Sequence, residues 1–122
     1  MASPRTLWIS VRYAVRGLWD GWRTQRNLRV HLIVGFLACG LGVWLRLEPV
    51  EWGLLSLTIV LVLVAELLNT AVEVLVDLVS PERRTEAMRI KDLAAAAVLV
   101  CAGGSLALGG LVFVPHILSM FF

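Results

Sequence analysis

From residue 5 to residue 26, Leu7, Trp8, Val11, Ala14, Val15, Leu18, Trp19 and Trp22 recur at helical intervals, while Arg12, Arg16, Asp20 and Arg23 line the opposite side at spacings of 4, 4 and 3. That pattern predicts an amphipathic helix with a tryptophan-rich face, the kind that lies in a membrane interface with its arginines toward headgroups. Beyond it the pattern changes from two-sided to continuously apolar. Three runs are long enough to be transmembrane helices, at about 31–47, 52–79 and 92–113. The turn between the first two holds Glu48 and Pro49, and Ser80-Pro81 supplies a helix N-cap and first-turn proline after the second. Residues 1–30 are thus expected to form a cytoplasmic surface-helix segment and residues 31–122 a three-helix transmembrane domain, giving an all-α integral membrane protein. Small residues at spacing 4 (Ala38 and Gly42, Gly103 and Ala107, Ser105 and Gly109) permit close helix packing.

Composition agrees with lipid as the solvent. Of 122 residues 59% are apolar and 16% charged, with a mean hydropathy of +0.84, which leaves too much apolar surface for a water-soluble domain of this size. The net charge of +2 matters less than its placement. Ten of the eleven basic residues lie in the first 30 residues or between Arg83 and Lys91, and Arg46 alone lies in the other connection. The positive-inside rule then puts the N-terminus in the cytoplasm and the C-terminus outside the inner membrane. Arginines beside apolar spans suit anionic headgroups or phosphates and make nucleic acid a poor partner. Cys39 and Cys101 sit within apolar runs and read as small buried hydrophobes without a disulfide.

The middle span should be the least polar, yet it carries Glu66, Asn69, Glu73 and Asp77. At 100° per residue the last three fall at about −60°, −20° and +20° from Glu66, so the four share one helix face. An intramembrane carboxylate costs several kcal/mol and marks a cavity, an ion site or a reacting centre. A second polar cluster, Arg83, Arg84, Arg89, Lys91 and Asp92, follows on the same side of the membrane. Carboxylates beside cations are what phosphoryl transfer from a metal nucleotide requires: carboxylates hold Mg²⁺, cations neutralise phosphate, and one carboxylate accepts a hydroxyl proton. Walker-type GxxxxGK[ST] is absent. The same stripe is open to two other readings, a small ion or proton conductor and a non-catalytic membrane protein, and helix-to-helix hydrogen bonding across an oligomer would also use it.

The run Glu66-Leu67-Leu68-Asn69-Thr70-Ala71-Val72-Glu73 with Asp77, followed by Lys91-Asp92-Leu93-Ala94-Ala95-Ala96-Ala97-Val98, resembles the prokaryotic membrane diacylglycerol kinase and undecaprenol kinase family through the patterns ExxNxAxExxxD and KDxAAxAV. Arg16-Gly17-Leu18 and Arg23-Thr24-Gln25-Arg26-Asn27 with His31 extend the resemblance through the N-terminal part, where Asn27 and His31 look more like the undecaprenol kinase branch. The resemblance implies an ATP- and Mg²⁺-dependent kinase acting on a membrane lipid hydroxyl, assembled as a homotrimer with sites between subunits. It implies Glu66 as catalytic base, Glu73 as a Mg²⁺ ligand, and Lys91 and Asp92 as nucleotide contacts. Asn69, Asp77, Arg16, Arg23, Asn27 and His31 are further active-site positions, with Glu82 near the adenine and Tyr13 near the phosphates.

Two positions depart from that pattern. Where the family has its second metal carboxylate this chain has Gln25, a neutral side chain with only a carbonyl oxygen to offer. An arginine expected at the start of the surface helix is replaced by Thr6, with Arg5 or Arg12 as substitutes. Nothing in the apolar spans distinguishes diacylglycerol from undecaprenol. His116, beyond Pro115, reads as incidental.

Overall fold

The computed structural model describes residues 4–82 and 84–122; Arg83, one of the basic residues singled out above, lies outside the described residues. Every element among them is helical: α1 (Pro4–Thr24), α2 (Arg26–Leu45), α3 (Pro49–Val79) and α4 (Thr85–Phe121). The last three are long and apolar enough to cross a membrane by length and composition. At 1.5 Å per residue α3 and α4 reach about 46 and 56 Å, more than the ~30 Å hydrocarbon layer, so parts of both belong to the headgroup zones.

The helix boundaries follow local chemistry. Gln25 adopts an extended conformation (φ −113°, ψ 108°) between α1 and α2, so the chain redirects there without a longer loop. Helix α2 ends at Arg46 in the left-handed region (φ 56°, ψ 59°), with the Arg46 and Leu47 N–H groups donating to Val43 and Gly42 carbonyls. Pro49 opens α3, where the missing proline N–H costs nothing, and the Glu51 carboxylate accepts from the Glu48 N–H at 3.1 Å.

Two boundaries differ from the sequence reading. Ser80 and Pro81 do not start the last helix: the Ser80 N–H donates to Val76 O, closing α3, and its hydroxyl turns to Glu82 O. Helix α4 begins instead at Thr85. Pro115 does not end it either, for α4 continues to Phe121 and brings His116 within 2.9 Å of the Glu51 carboxylate. His116 therefore ties the end of α4 to the start of α3.

Helices α3 and α4 make the longest contact, with α2 packed on α3. A small core of Leu47, Leu55 and Val112, joined by Ala38, Trp52, Ile59 and Phe113, holds the end of the bundle near the α2–α3 turn. Gly42 is buried there because a Cβ would stand 2.9 Å from both Leu47 Cδ1 and the Trp52 ring. At the opposite end Gly21 lets α1 approach Leu28 of α2 and Leu67 of α3. Leu28 is 2% exposed, and its fit against Gly21 anchors α1 to the bundle.

Candidate active site

The polar face of α3 runs from inside the bundle outward. Glu66 is 2% exposed and Asn69 8%, Glu73 is half-buried, and Asp77 is exposed. This gradient follows from the packing of α2, which covers the Glu66 level and leaves the later turns open. From α2, His31 points at Glu66, its Nε2 standing 3.8 Å from Glu66 Oε2. Among the described residues neither that oxygen nor Asn69 Oδ1 has a hydrogen-bond partner, and both are buried. Native interiors rarely leave such atoms unmatched, because each forfeits its full solvation. Neighbouring groups are secured: Thr70 Oγ1 donates to the Glu66 backbone O at 3.0 Å, and the Asn69 side-chain Nδ2 donates to Glu73 Oε1 at 3.2 Å. The site has acceptor capacity to spare, positioned on a rigid helix.

One turn further out, Lys91 of α4 donates to Asp77 Oδ1 at 2.6 Å, bridging the two helices. The pair borders a small cleft of about 150 Å³, to which Ser80, Pro81, Glu82 and Met88 also contribute. Asp77 at the end of α3, Glu82 in the connection and Lys91 in the second turn of α4 are thereby gathered at one place. Asp92 is exposed on the next residue of α4.

Helix α1 lies along the same half of α3. Its Ala14, Gly17, Leu18 and Gly21 face Leu67, Ala71, Val74 and Leu78 across an open, mainly apolar groove of about 760 Å³. Tyr13 and Arg16 are neighbours on α1, the guanidinium 5.9 Å from the ring centroid. Arg23 and Asn27 are exposed near the α1–α2 break, where Arg29 Nη1 donates to the Trp22 and Arg23 carbonyls. Gln25 is half-buried in the break itself, its Nε2 donating to Thr24 Oγ1.

The arrangement therefore joins His31 with Glu66, Asn69 with Glu73, and Asp77 with Lys91 and Glu82. It shows no contact between Gln25 and Glu73. Among the described residues no group of three or more His, Cys, Asp or Glu side chains is placed to hold a metal ion unaided. The donor set nonetheless suits a hard cation carried by phosphate: the Glu73 carboxylate is reachable, and the unmatched Asn69 Oδ1 lies on the adjoining turn. The sequence reading missed the Asp77–Lys91 bridge, whose only sign is one acid and one base near the facing ends of consecutive helices.

A buried carboxylate on a helix long and apolar enough to cross a membrane, graded outward into an acid–base pair, marks an all-helical membrane protein. Residues 12–113 match the family described as prokaryotic diacylglycerol kinase, and the chain belongs to that family of membrane lipid kinases. It is 40% identical over 115 residues to a diacylglycerol kinase of Synechocystis sp., covering 93% of this chain and 66% of that one, just under two thirds of its length. An undecaprenol kinase of Bacillus subtilis is 37% identical over 105 residues (86% and 85% of the two chains), and a diacylglycerol kinase of Escherichia coli 32% over 88 (72% of each).

Proposed function

We propose that this chain is an ATP- and Mg²⁺-dependent lipid kinase of a bacterial inner membrane, transferring a γ-phosphoryl group to the hydroxyl of diacylglycerol or undecaprenol. The observation that carries the reading is Glu66, a nearly fully buried carboxylate with a free acceptor oxygen on a membrane-length helix. Its relatives act on these two lipids, which share the one group the chemistry needs, an alcohol.

In this reading Glu66 accepts the hydroxyl proton as the lipid oxygen attacks the γ-phosphorus and the bond to the β-phosphate oxygen breaks, releasing ADP. Asn69 holds Glu73 in place through its side-chain amide. Glu73, with the carbonyl oxygens of Gln25 and Asn69 available, would hold Mg²⁺ against the phosphates, and the ion supplies charge neutralisation. Lys91 exchanges Asp77 for phosphate, while Asp92, Glu82 and Tyr13 contact the nucleotide. Arg16 and Arg23, with Asn27, close the site from α1 and the start of α2. The α1 helix lies on the cytoplasmic surface of the membrane, N-terminus inside and C-terminus outside, so that water-borne ATP meets a lipid headgroup under it.

The chain acts as a homotrimer. Only 6% of the apolar window of α4 is buried in one protomer, and a Cβ at Gly103, Gly104, Gly109 or Gly110 would touch nothing, so α4 has a face open to neighbours. A conductor is disfavoured because the outer half of α3 from Trp52 to Ala65 offers only Ser56 and Thr58 as polar side chains besides Trp52, and Thr58 donates to Leu55 O. The test is label transfer from γ-labelled ATP by purified protein in lipid with Mg²⁺, offering diacylglycerol and undecaprenol in parallel. Labelling of either lipid is the expected result, and labelling of neither by a folded trimer refutes the kinase.

A further inference from the structure

A base sealed inside a bundle can accept a proton once; it must then lose it before the next turnover. Glu66 has 2% of its surface exposed and its Oε2 is fully buried, so that oxygen trades protons with bulk water poorly by itself. The titratable groups facing it are His31 from α2 and Glu73 from its own helix, and no ion pair reaches it from α1 or α4 among the described residues. Glu73 is held by Asn69. His31 is different in kind. Its ring makes no hydrogen bond among the described residues, it stands 3.8 Å from Glu66 Oε2, the fully buried oxygen of that carboxylate, and a quarter of its side chain is exposed. A structural histidine in an apolar interface would be expected to have its ring nitrogens satisfied. The separation is too long for a hydrogen bond and short enough to close by a small side-chain movement, as catalytic contacts do when substrate arrives.

We infer that His31 is the positioning residue of Glu66 and the acceptor of its proton: the imidazole orients the carboxylate before transfer and carries the proton outward after it. The inference deepens the lipid-kinase reading and rests on it. The lipid oxygen–hydrogen bond breaks to Glu66 as the new oxygen–phosphorus bond forms and ADP departs with the electron pair of the old one. The proton then passes from Glu66 Oε2 to the Nε2 of neutral His31, the imidazolium releases a proton from Nδ1 to water, and exchange of the remaining proton through water, off Nε2 and back onto Nδ1, restores the starting tautomer. Histidine suits this step because its two nitrogens can take up and give off protons near neutral pH.

The experiment compares the parent with H31Q and H31A, each as the full chain in lipid, by the pH dependence of kcat and by KM for ATP and lipid. Glutamine keeps hydrogen-bonding capacity without titrating. H31Q is expected to keep both KM values within about twofold and lose roughly 10- to 100-fold in kcat. The pH profile of kcat in H31Q should lack the limb that a proton-accepting imidazole supplies to the parent. Imidazole added to H31A should restore part of the lost rate, which only a folded protein with an emptied proton-accepting position can show. A full kcat in H31Q with the parent's profile overturns the role of His31 and leaves the kinase standing, and so does an H31A deficit that imidazole fails to relieve. A parent that labels no lipid overturns both.

Discussion

Three carboxylates share one face of α3, and their surroundings differ sharply. Glu66 is sealed against α2, Glu73 is half open and tethered by Asn69, and Asp77 is exposed and neutralised by Lys91. Identical carboxyl chemistry is thus offered at three levels of solvation along one helix, and a low-dielectric setting suits a base while an open one suits a charge that meets phosphate. Glu66, Asn69, Glu73 and Asp77 were legible in the sequence because a 3.6-residue period turns spacing directly into a face. Their partners were not, since pairing across helices depends on how the helices are rotated against each other, which no spacing within one helix specifies. Lys91 meeting Asp77 and His116 meeting Glu51 both belong to that class. In the proposed site Gln25 is the position where residue identity matters most for the ion, because glutamate there would add a charged oxygen ligand. The Gln25→Glu protein is expected to reach half-maximal rate at a several-fold lower Mg²⁺ concentration, measured by Mg²⁺ titration of the kinase assay; an unchanged titration means residue 25 does not face the ion.

The elements answer to apolar runs and backbone chemistry together. Four helices were legible, but α2 starts at Arg26, inside what reads as the basic segment, because polar residues at a helix start are as compatible with helix as with headgroup contact. Pro115 misleads for a related reason. It removes one backbone donor, yet in an apolar setting continuing the helix satisfies all the other groups, which ending it would leave exposed. Glycines sort by what they face. Gly42 meets Leu47 and the Trp52 ring at 2.9 Å, whereas the α4 glycines meet nothing within the protomer. Gly42→Ala should therefore destabilise the α2–α3 hairpin by about 1–3 kcal/mol, read as a lower Tm in detergent. An unchanged Tm would show that Trp52 and Leu47 move aside without cost.

At the scale of the whole molecule, one protomer covers Glu66 but leaves the Asp77–Lys91 cleft, the α1 groove and most of α4 open. Apolar α4 surface and the mainly apolar α1 groove are at home in lipid, whereas the Asp77–Lys91 cleft is not, and in the proposed trimer a neighbouring subunit would cover it. Crosslinking in native membranes is expected to trap trimers, and recovery of monomers alone would remove the shared-site arrangement. Sequence could suggest this assembly only through resemblance, because the small-residue spacings that allow it are equally consistent with dimers.

The central claim is that Glu66 takes the proton of a lipid hydroxyl, and it is tested most directly by Glu66→Gln, which keeps size and hydrogen bonding while removing the base. Measured as labelled phosphate transferred from ATP to the lipid that the parent accepts, kcat should fall by roughly a hundredfold or more with trimer and Tm retained. A Glu66→Gln protein that labels lipid at the parent's rate would contradict the account.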